Sequence, residues 1–329
     1  MTLLFSFLAL PSILQLILVY PRASVALQYG LVETWIGPTF YEKFDWFSIP
    51  DWSHGRVNYT DRETSRTLNL TYASSDTFIL RGDYKSVLSP TGPGRNSVRI
   101  RSKRKFSTHV AVFDVRHMPE GCGTWPAIWE TEESGWPSGG ELDIVEGINN
   151  QGPNLVSVHT SPNCTMPREG RDMSGAPVSL TCHGGGCNVR MPSQNSFGPA
   201  FNSNGGGWFA VERRPSFIKV WFWPRRGADG SSPPSNLPAD IRTTTSNRVN
   251  TDNWRRPAAL FNSAAGSCDL ESKFKPNNII INLNFCGDWA GPQYPASGCP
   301  GTCVDFVNKN SNYFGDAYFD IASIRVYIS

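Results

Sequence analysis

The sequence predicts an all-β protein, a sandwich of two antiparallel sheets. Strand-like runs of alternating apolar and polar residues recur along the chain, and no helical period of useful length interrupts them. Glycine (30) and proline (25) together make up about 17% of the 329 residues, against an average near 12%. Charged residues reach only 18%, where about 25% is usual. Short strands joined by turns in a weakly charged chain are typical of a β-sandwich.

Seven segments show the strand pattern most clearly. In the last of them Ile324, Val326 and Ile328 would share one face, because side chains alternate along a strand. The predicted strands are Asn96–Arg101, His109–His117, Gly140–Ile148, Leu155–Thr160, Phe217–Trp223, Asn278–Phe285 and Tyr318–Ile328.

Residues 1–26 are predicted to be a signal peptide, and residues 27–329 a single domain. An apolar stretch of about 17 residues precedes Ser24-Val25-Ala26, a small-x-small cleavage pattern. The missing basic residues leave an uncleaved membrane anchor as a second interpretation. With cleavage, the protein is expected to be secreted, extracellular, monomeric and free of the membrane. The Gly, Ser and Pro-rich segments Asn163–Gly207 and Arg225–Ala258 are predicted to be long loops on that one domain, since strand patterns resume after them.

Eight cysteines follow the leader, which predicts up to four disulfides with 105 possible pairings. A zinc site is disfavoured, because the close cysteine pairs lack a second pair or a set of histidine ligands. Three glycosylation sequons, at Asn58, Asn69 and Asn163, agree with passage through a secretory pathway.

The charge balance argues against a nucleic-acid partner. The formal net charge is only +2, so no broad field would gather phosphates or anionic lipids. The one basic run, Arg99 to Lys105, is interpreted as a solvated strand end. A neutral partner is expected.

The segment GGELDIVEG, residues 139–147, places three carboxylates within six residues of an apolar strand. Glu141 and Asp143 would share one face, but a spacing of five puts Glu146 on the opposite one. A β-bulge near Ile144 or Val145 would return Glu146 to that face, and bulges are frequent beside active sites. The spacing therefore predicts a bulge.

Three crowded acids could not all ionise freely, so one pKa would rise and the group would titrate together. One ionised and one protonated carboxyl group is what a retaining glycosidase needs. The alternatives are a solvent-facing acidic edge and a calcium site, although calcium prefers ligands spread over a flexible loop. No cofactor is expected at the acids, and a structural calcium ion is left open.

Tryptophans surround the acids in the sequence. Trp125, Trp129 and Trp136 lie within sixteen residues upstream of Glu141, in what is interpreted as a loop containing Pro126. A single tryptophan more often belongs to a core. Three beside an acid cluster favour flat platforms for pyranose rings. Trp221 and Trp223 fit either a core or a cleft wall.

These stretches carry a family resemblance. WPAIW followed by GGELDIVEG resembles the E-x-D-x-x-E signature of glycoside hydrolase family 16, and residues from about Leu27 to Ser329 are similar to the secreted fungal laminarinases, endo-1,3(4)-β-glucanases. The other matching stretches are GPGRNSVRIRS, THVAVFDVRHMPEGCGTWPA, FIKVWF, NIIINLNFCGDWAG and YFDIASIRVY.

The resemblance implies a β-jelly-roll with a sugar cleft across its concave face. It assigns Glu141 as the nucleophile, Glu146 as the general acid/base and Asp143 as the helper between them. It also implies that five further residues line the cleft and bind β-glucan. They are Trp129, Trp136, His159, Arg99 and Trp289. Read from the residues alone, His159 could instead be a satisfied strand histidine, Arg99 a solvated or paired cation, and Trp289 a loop anchor.

The sequence thus predicts a retaining endo-β-glucanase acting on 1,3-linked or mixed 1,3/1,4-linked glucan. A wall-remodelling transglycosylase would use the same acids with a sugar acceptor in place of water. A glucan-binding module without activity is disfavoured, because a lectin does not need three crowded carboxylates.

Overall fold

The computed structural model describes residues 28–263 and 267–329. The leader predicted at residues 1–26 lies outside the described residues, so its separation from one domain at 27–329 stays a prediction. In the described residues two large antiparallel sheets enclose a hydrophobic core, which confirms the predicted all-β sandwich. No helix in those two ranges is long and apolar enough to cross a membrane.

The strands, in chain order, are β1 (Tyr29–Trp35), β2 (Phe44–Trp46), β3 (Val57–Tyr59), β4 (Thr71–Ala73), β5 (Phe78–Arg81), β6 (Arg95–Ser97), β7 (Arg99–Phe106), β8 (His109–His117), β9 (Thr124–Thr131), β10 (Glu141–Glu146), β11 (Leu155–His159), β12 (Ala176–Ser179), β13 (Cys187–Arg190), β14 (Gly207–Arg214), β15 (Phe217–Pro224), β16 (Arg248–Val249), β17 (Ala259–Asn262), β18 (Asn277–Phe285) and β19 (Tyr318–Ile328). Short helices connect them: α1 (Thr39–Lys43), α2 (Arg62–Thr67), α3 (Gly198–Ser203), α4 (Ala239–Arg242), α5 (Leu270–Lys273), α6 (Gly287–Gln293) and α7 (Cys303–Lys309).

The first sheet has the order β16-β1-β19-β8-β14-β15-β17, with β5 also pairing with β19 and β4 attached to β5. The second sheet has the order β12-β13-β11-β10-β9-β18-β7-β2. Strands β3 and β6 form a separate parallel pair. Strand β10, which carries the three acids, therefore lies in the middle of the second sheet.

The main core lies between the two sheets. Ile128, Leu142 and Ile281 of the second sheet are fully buried, as are Phe113 and Val211 of the first. Alternate residues of each strand supply this layer, so the intervening residues of the second sheet form its opposite, polar face.

The segment Arg225–Ala258 covers the outer face of the first sheet and is more than the predicted long loop. It contains α4 and β16, and its Trp254 packs edge to face against Trp221 and Trp223. Trp221 and Trp223 are buried in this second core. They are therefore core residues on the far side of the molecule, not walls of a cleft.

The segment Asn163–Gly207 was also wrongly predicted to be only a loop. It contains β12, β13 and α3, and the two strands extend the second sheet beyond β11. Each of these strands has only four residues, which is too short to show a clear alternation among the surrounding glycines.

Trp125 and Trp129 lie on strand β9 and not on a loop, which is a further correction. Pro126 argued against a central strand because it has no N–H to donate. The pairing of β9 with β10 ends at Ala127, opposite Glu146, so Pro126 lies beyond this ladder and interrupts no bond within it.

All eight cysteines are paired. The disulfides join Cys122 with Cys299, Cys164 with Cys268, Cys182 with Cys187 and Cys286 with Cys303. The expectation of four bridges is confirmed, and the thiols that a zinc site would need are consumed. The sequon residues Asn58, Asn69 and Asn163 are exposed.

Candidate active site

The three acids of β10 project from one face of the second sheet. Three alternate residues of β9 lie opposite them, and alternate residues of a strand share a face. The opposing residues are Glu141 with Thr131, Asp143 with Trp129 and Glu146 with Ala127. The register shifts between Asp143 and Val145, which confirms the predicted bulge.

The bulge also keeps the apolar residues of the strand in the core. Ile144 and Val145 are neighbours in the chain, yet both are completely buried in the main core. A regular strand would turn one of them towards the polar face. The extra residue thus satisfies the core and brings Glu146 to the side of Glu141 at the same time.

Glu141 is held from two sides. The indole Nε1–H of Trp136 donates a hydrogen bond to its Oε2 at 2.9 Å. His159, the residue opposite it in β11, places Nε2 3.9 Å from its Oε1. Burial and the nearby Asp143 carboxylate raise the pKa of Glu141 to about 8, while His159 and Arg99 act in the opposite direction.

Glu146 lies at the other end of the acid group. Its Oε1 accepts a hydrogen bond from Trp125 Nε1–H at 2.8 Å. Burial, followed by the Asp143 carboxylate, raises the pKa of Glu146 well above its usual range. The cation His159 lies in contact with Glu141 and Asp143, so the environment favours the ionised form more at Glu141 than at Glu146.

His159 supplies the positive charge of the group. Its Nδ1 donates to the carbonyl oxygen of Gly184 at 3.0 Å, and its Nε2 lies 3.4 Å from Asp143 Oδ2. Burial lowers the pKa of His159, but Asp143 and Glu141 outweigh it and raise that pKa to about 10. Asp143, only 4% exposed, is thus buried beside an imidazolium. One cation and three acids can hold one ionised and one protonated glutamate together.

The residues implied as sugar contacts lie on this face or at its ends. Trp136 is 54% exposed although it donates to Glu141. Trp129 donates through Nε1 to Asn282 Oδ1 at 2.7 Å, which fixes the plane of its ring. Trp289 packs edge to face against Trp125, with ring centroids 5.8 Å apart.

Arg99 is a paired cation in the structure. It forms an ion pair with Glu133, which also binds Arg101 at 2.8 Å, and its guanidinium lies 5.0 Å from the centre of the Trp129 ring. Arg99 is only 9% exposed, and its guanidinium lies over one face of the Trp129 ring.

Two residues that contact the glutamates are not among the predicted site residues. Trp125 is one of the three tryptophans predicted to be platforms, but the resemblance does not include it among the cleft residues, although it lies four residues before Trp129 and would share its face on a strand. Asn154 binds the backbone of the bulge, and its own sequence context carries no signal for that role.

Glu141, Asp143 and His159 also offer ligand atoms that all lie within 4.8 Å of one another. Carboxylate and imidazole are ligand types that a divalent cation accepts. The same atoms already contact one another as an ion-pair group, and the expectation that the site works without a cofactor stays a prediction.

Comparison with known proteins places this geometry in a family. A family model described as the XgeA-like, catalytic GH16 domain matches residues 44–327. A probable glycosidase of Schizosaccharomyces pombe is 40% identical over 307 residues, which is 91% of this chain and 69% of that protein. A probable endo-1,3(4)-β-glucanase of Aspergillus clavatus is 37% identical over 313 residues, 91% of this chain. The chain spans 46% of the length of that relative.

Solved structures agree. Laminarinase 16A from Phanerochaete chrysosporium, with β-glucans in both donor and acceptor sites, is 54% identical with a TM-score of 0.87; the match covers 92% of this chain and 100% of that one. An elongating GH family 16 β-1,3-glucosyltransferase is 33% identical with a TM-score of 0.82, covering 91% and 99% of the two chains. The fold is the β-jelly-roll that the resemblance implied, and this chain belongs to glycoside hydrolase family 16.

Proposed function

We propose that this protein is a secreted, retaining endo-β-glucanase that hydrolyses 1,3-linked or mixed 1,3/1,4-linked β-glucan. One observation carries the proposal: Glu141 and Glu146 share one sheet face across a bulge, and each accepts a hydrogen bond from the indole N–H of a tryptophan. The similarity to proteins named endo-1,3(4)-β-glucanase and laminarinase supports the substrate class.

In the proposed reaction, ionised Glu141 attacks the anomeric carbon while the bond to the leaving sugar oxygen breaks. Protonated Glu146 gives its proton to that oxygen, and a glycosyl ester on Glu141 results. Glu146, now a carboxylate, takes a proton from water, which attacks the anomeric carbon and releases Glu141. Two inversions retain the β configuration.

Asp143 and His159 are proposed to hold the charge balance of this cycle. Asp143 lies in the strand between the two glutamates, where burial and, after it, the Asp143 charge keep Glu146 protonated before the first step. His159 offsets that charge next to Glu141. Trp129, Trp136 and Trp289 are proposed to stack on glucose rings.

Secretion is supported by four disulfides, which are typical of oxidising compartments, and by the exposed sequon residues Asn58, Asn69 and Asn163. We propose a monomer whose partner is a single β-glucan chain, with no cofactor.

The test is digestion of laminarin, lichenan and a ladder of 1,3-linked oligosaccharides, with product linkage and early anomeric configuration followed by NMR. Internal cleavage with β-configured products is expected. Glu141→Gln should lower reducing-sugar release at least about 1,000-fold, because the nucleophile is lost. The exposed Glu63→Gln is the control. Near-normal release by Glu141→Gln, or α-configured first products, would contradict the proposal.

A transglycosylase is the second candidate, favoured by the similarity to the elongating β-1,3-glucosyltransferase. A sugar hydroxyl would then replace water in the second step. Products longer than a defined starting oligosaccharide would favour it. Binding of laminarin without cleavage at any pH would instead indicate a glucan-binding module.

A further inference from the structure

A completely buried asparagine contacts the bulge of β10. Asn154, the residue before β11, donates from Nδ2 to the carbonyl oxygen of Ile144 at 2.9 Å. Its Oδ1 accepts from the backbone N–H of Glu146 at 2.8 Å. One side-chain amide thus binds the backbone on both sides of Val145, immediately at the proposed acid/base.

The bulge leaves backbone groups that need such a partner. Strands β10 and β11 pair only at Glu141, Leu142 and Asp143, so their ladder ends before Ile144. A buried carbonyl or N–H without a partner is destabilising. The carboxamide of Asn154 has the donor and acceptor of a peptide unit, and it continues the ladder where β11 no longer does.

Asn154 is itself held in place. Its backbone N–H donates to Ser196 Oγ at 3.0 Å, and its carbonyl oxygen accepts from the N–H of Met191 at 2.9 Å. Ser196 is fully buried. The bond to the Glu146 N–H therefore ties Glu146 to the start of β11, and the other end of β11 carries His159 opposite Glu141.

We propose that Asn154 is a positioning residue for Glu146: its carboxamide replaces the missing strand partner of the bulge and fixes the acid/base relative to Glu141. The inference rests on the proposed retaining mechanism, which needs the two carboxyl groups about 5–5.5 Å apart. Asn154 does not touch substrate. It acts by holding Glu146 where it can reach the leaving oxygen.

The test compares two substrates that differ in their need for a proton. Cleavage of a 1,3-linked glucan requires the general acid, whereas dinitrophenolate leaves 2,4-dinitrophenyl β-laminaribioside without one. The parameter is kcat/KM, which reports the first step alone. Asn154→Ala should lose about 100-fold on laminarin, within the 10²–10⁴ that general acid catalysis supplies, and less than about threefold on the aryl glycoside.

Asn308→Ala is the matched control, since Asn308 is another buried asparagine whose side chain accepts from Arg56 Nε, away from the acids. Asn308→Ala should change kcat/KM by the same factor on both substrates. If Asn154→Ala does not fold, Asn154→Asp is the second variant: its carboxylate still accepts from Glu146 but cannot donate to Ile144, so a smaller split of the same sign is expected.

An equal loss on both substrates, or no loss, would overturn the positioning role while leaving the glucanase intact. If the wild-type protein cleaves neither substrate, the proposed function is wrong and this inference is overturned with it. The wild-type activities therefore separate the two failures.

Discussion

Gly186 lies directly against the imidazole ring of His159. A Cβ atom at residue 186 would lie 2.7 Å from Cε1 and 2.8 Å from Nε2 of that ring. The loop between the bridged Cys182 and Cys187 thus closes over His159, with the Gly184 carbonyl binding one ring nitrogen and Gly186 leaving room for the ring. The histidine is held towards the acids by a disulfide-closed loop.

Gly186→Ala should therefore lower activity, although Gly186 does not itself contact the acids. The added methyl must displace the ring from its present position beside Asp143, and φ of +77° at this position further disfavours alanine. We expect about a tenfold fall in kcat on laminarin, measured by reducing-sugar release. Gly185→Ala is the control, because a Cβ there has no neighbour within 4 Å. Equal activity of the two variants would show that the ring tolerates displacement.

His159→Gln should shift the acidic limb of the pH–activity profile to higher pH. The His159 cation lowers the pKa of Glu141, which also faces Asp143, Arg99 and the neutral Trp136. Removing that cation raises the pKa of Glu141, so a higher pH is needed to ionise this proposed nucleophile. A shift of about one pH unit in kcat/KM is expected.

The control is His183→Gln, an exposed histidine in the loop between Cys182 and Cys187. It should leave the profile unchanged. An unchanged acidic limb in His159→Gln would mean that this histidine does not influence the ionisation of Glu141.

Trp125→Phe should move the basic limb to higher pH while lowering the maximal rate. The indole N–H stabilises the carboxylate of Glu146 and so lowers its pKa, against the opposing effects of burial, Asp143 and Glu141. Without it, Glu146 stays protonated to a higher pH, but its carboxyl group is less well oriented. A several-fold fall in kcat is expected.

Trp221→Phe removes an indole hydrogen bond to the Arg255 carbonyl on the far side of the first sheet and serves as the control. It should affect stability only. A shift of the basic limb of the pH–activity profile to lower pH in Trp125→Phe would contradict this prediction.

Glu130→Gln should destabilise the fold, although Glu130 is not part of the candidate active site. Glu130 is buried in the core, with Oε1 2.8 Å from His109 Nε2 and Oε2 3.6 Å from Arg213. Burial raises its pKa, but His109 and Arg213 outweigh burial and lower it. Loss of the carboxylate leaves the buried Arg213 without its anionic partner, which typically costs about 3–5 kcal/mol.

The free energy of unfolding, measured by urea denaturation at several pH values, would check this prediction. A lowered pKa in the folded state contributes stability above the ordinary glutamate pKa and loses it as the pH falls through the folded value. The difference between wild type and Glu130→Gln should therefore be largest near neutral pH and shrink in acid. The exposed Glu271→Gln is the control, and a difference independent of pH would contradict the assignment.

Long alternating segments were predictable because their period depends on the strand alone. Tyr318–Ile328 was predicted with the observed bounds. Strand β9 was missed because Pro126 interrupts the expected pattern, and only the end of its pairing with β10 shows why the proline is tolerated. The short strands β12 and β13 were missed because four residues carry too little periodicity.

Local chemistry in the sequence determined that three acids crowd one strand and that a bulge must join the third to the others, because alternation of side chains follows from strand geometry. Tertiary structure alone decided what surrounds them. The acids are contacted from other strands and loops by Trp125, His159 and Asn154. Arg99 forms an ion pair with Glu133. The cysteine partners were equally undetermined. Such contacts depend on the pairing register of distant strands, which the whole sheet sets together.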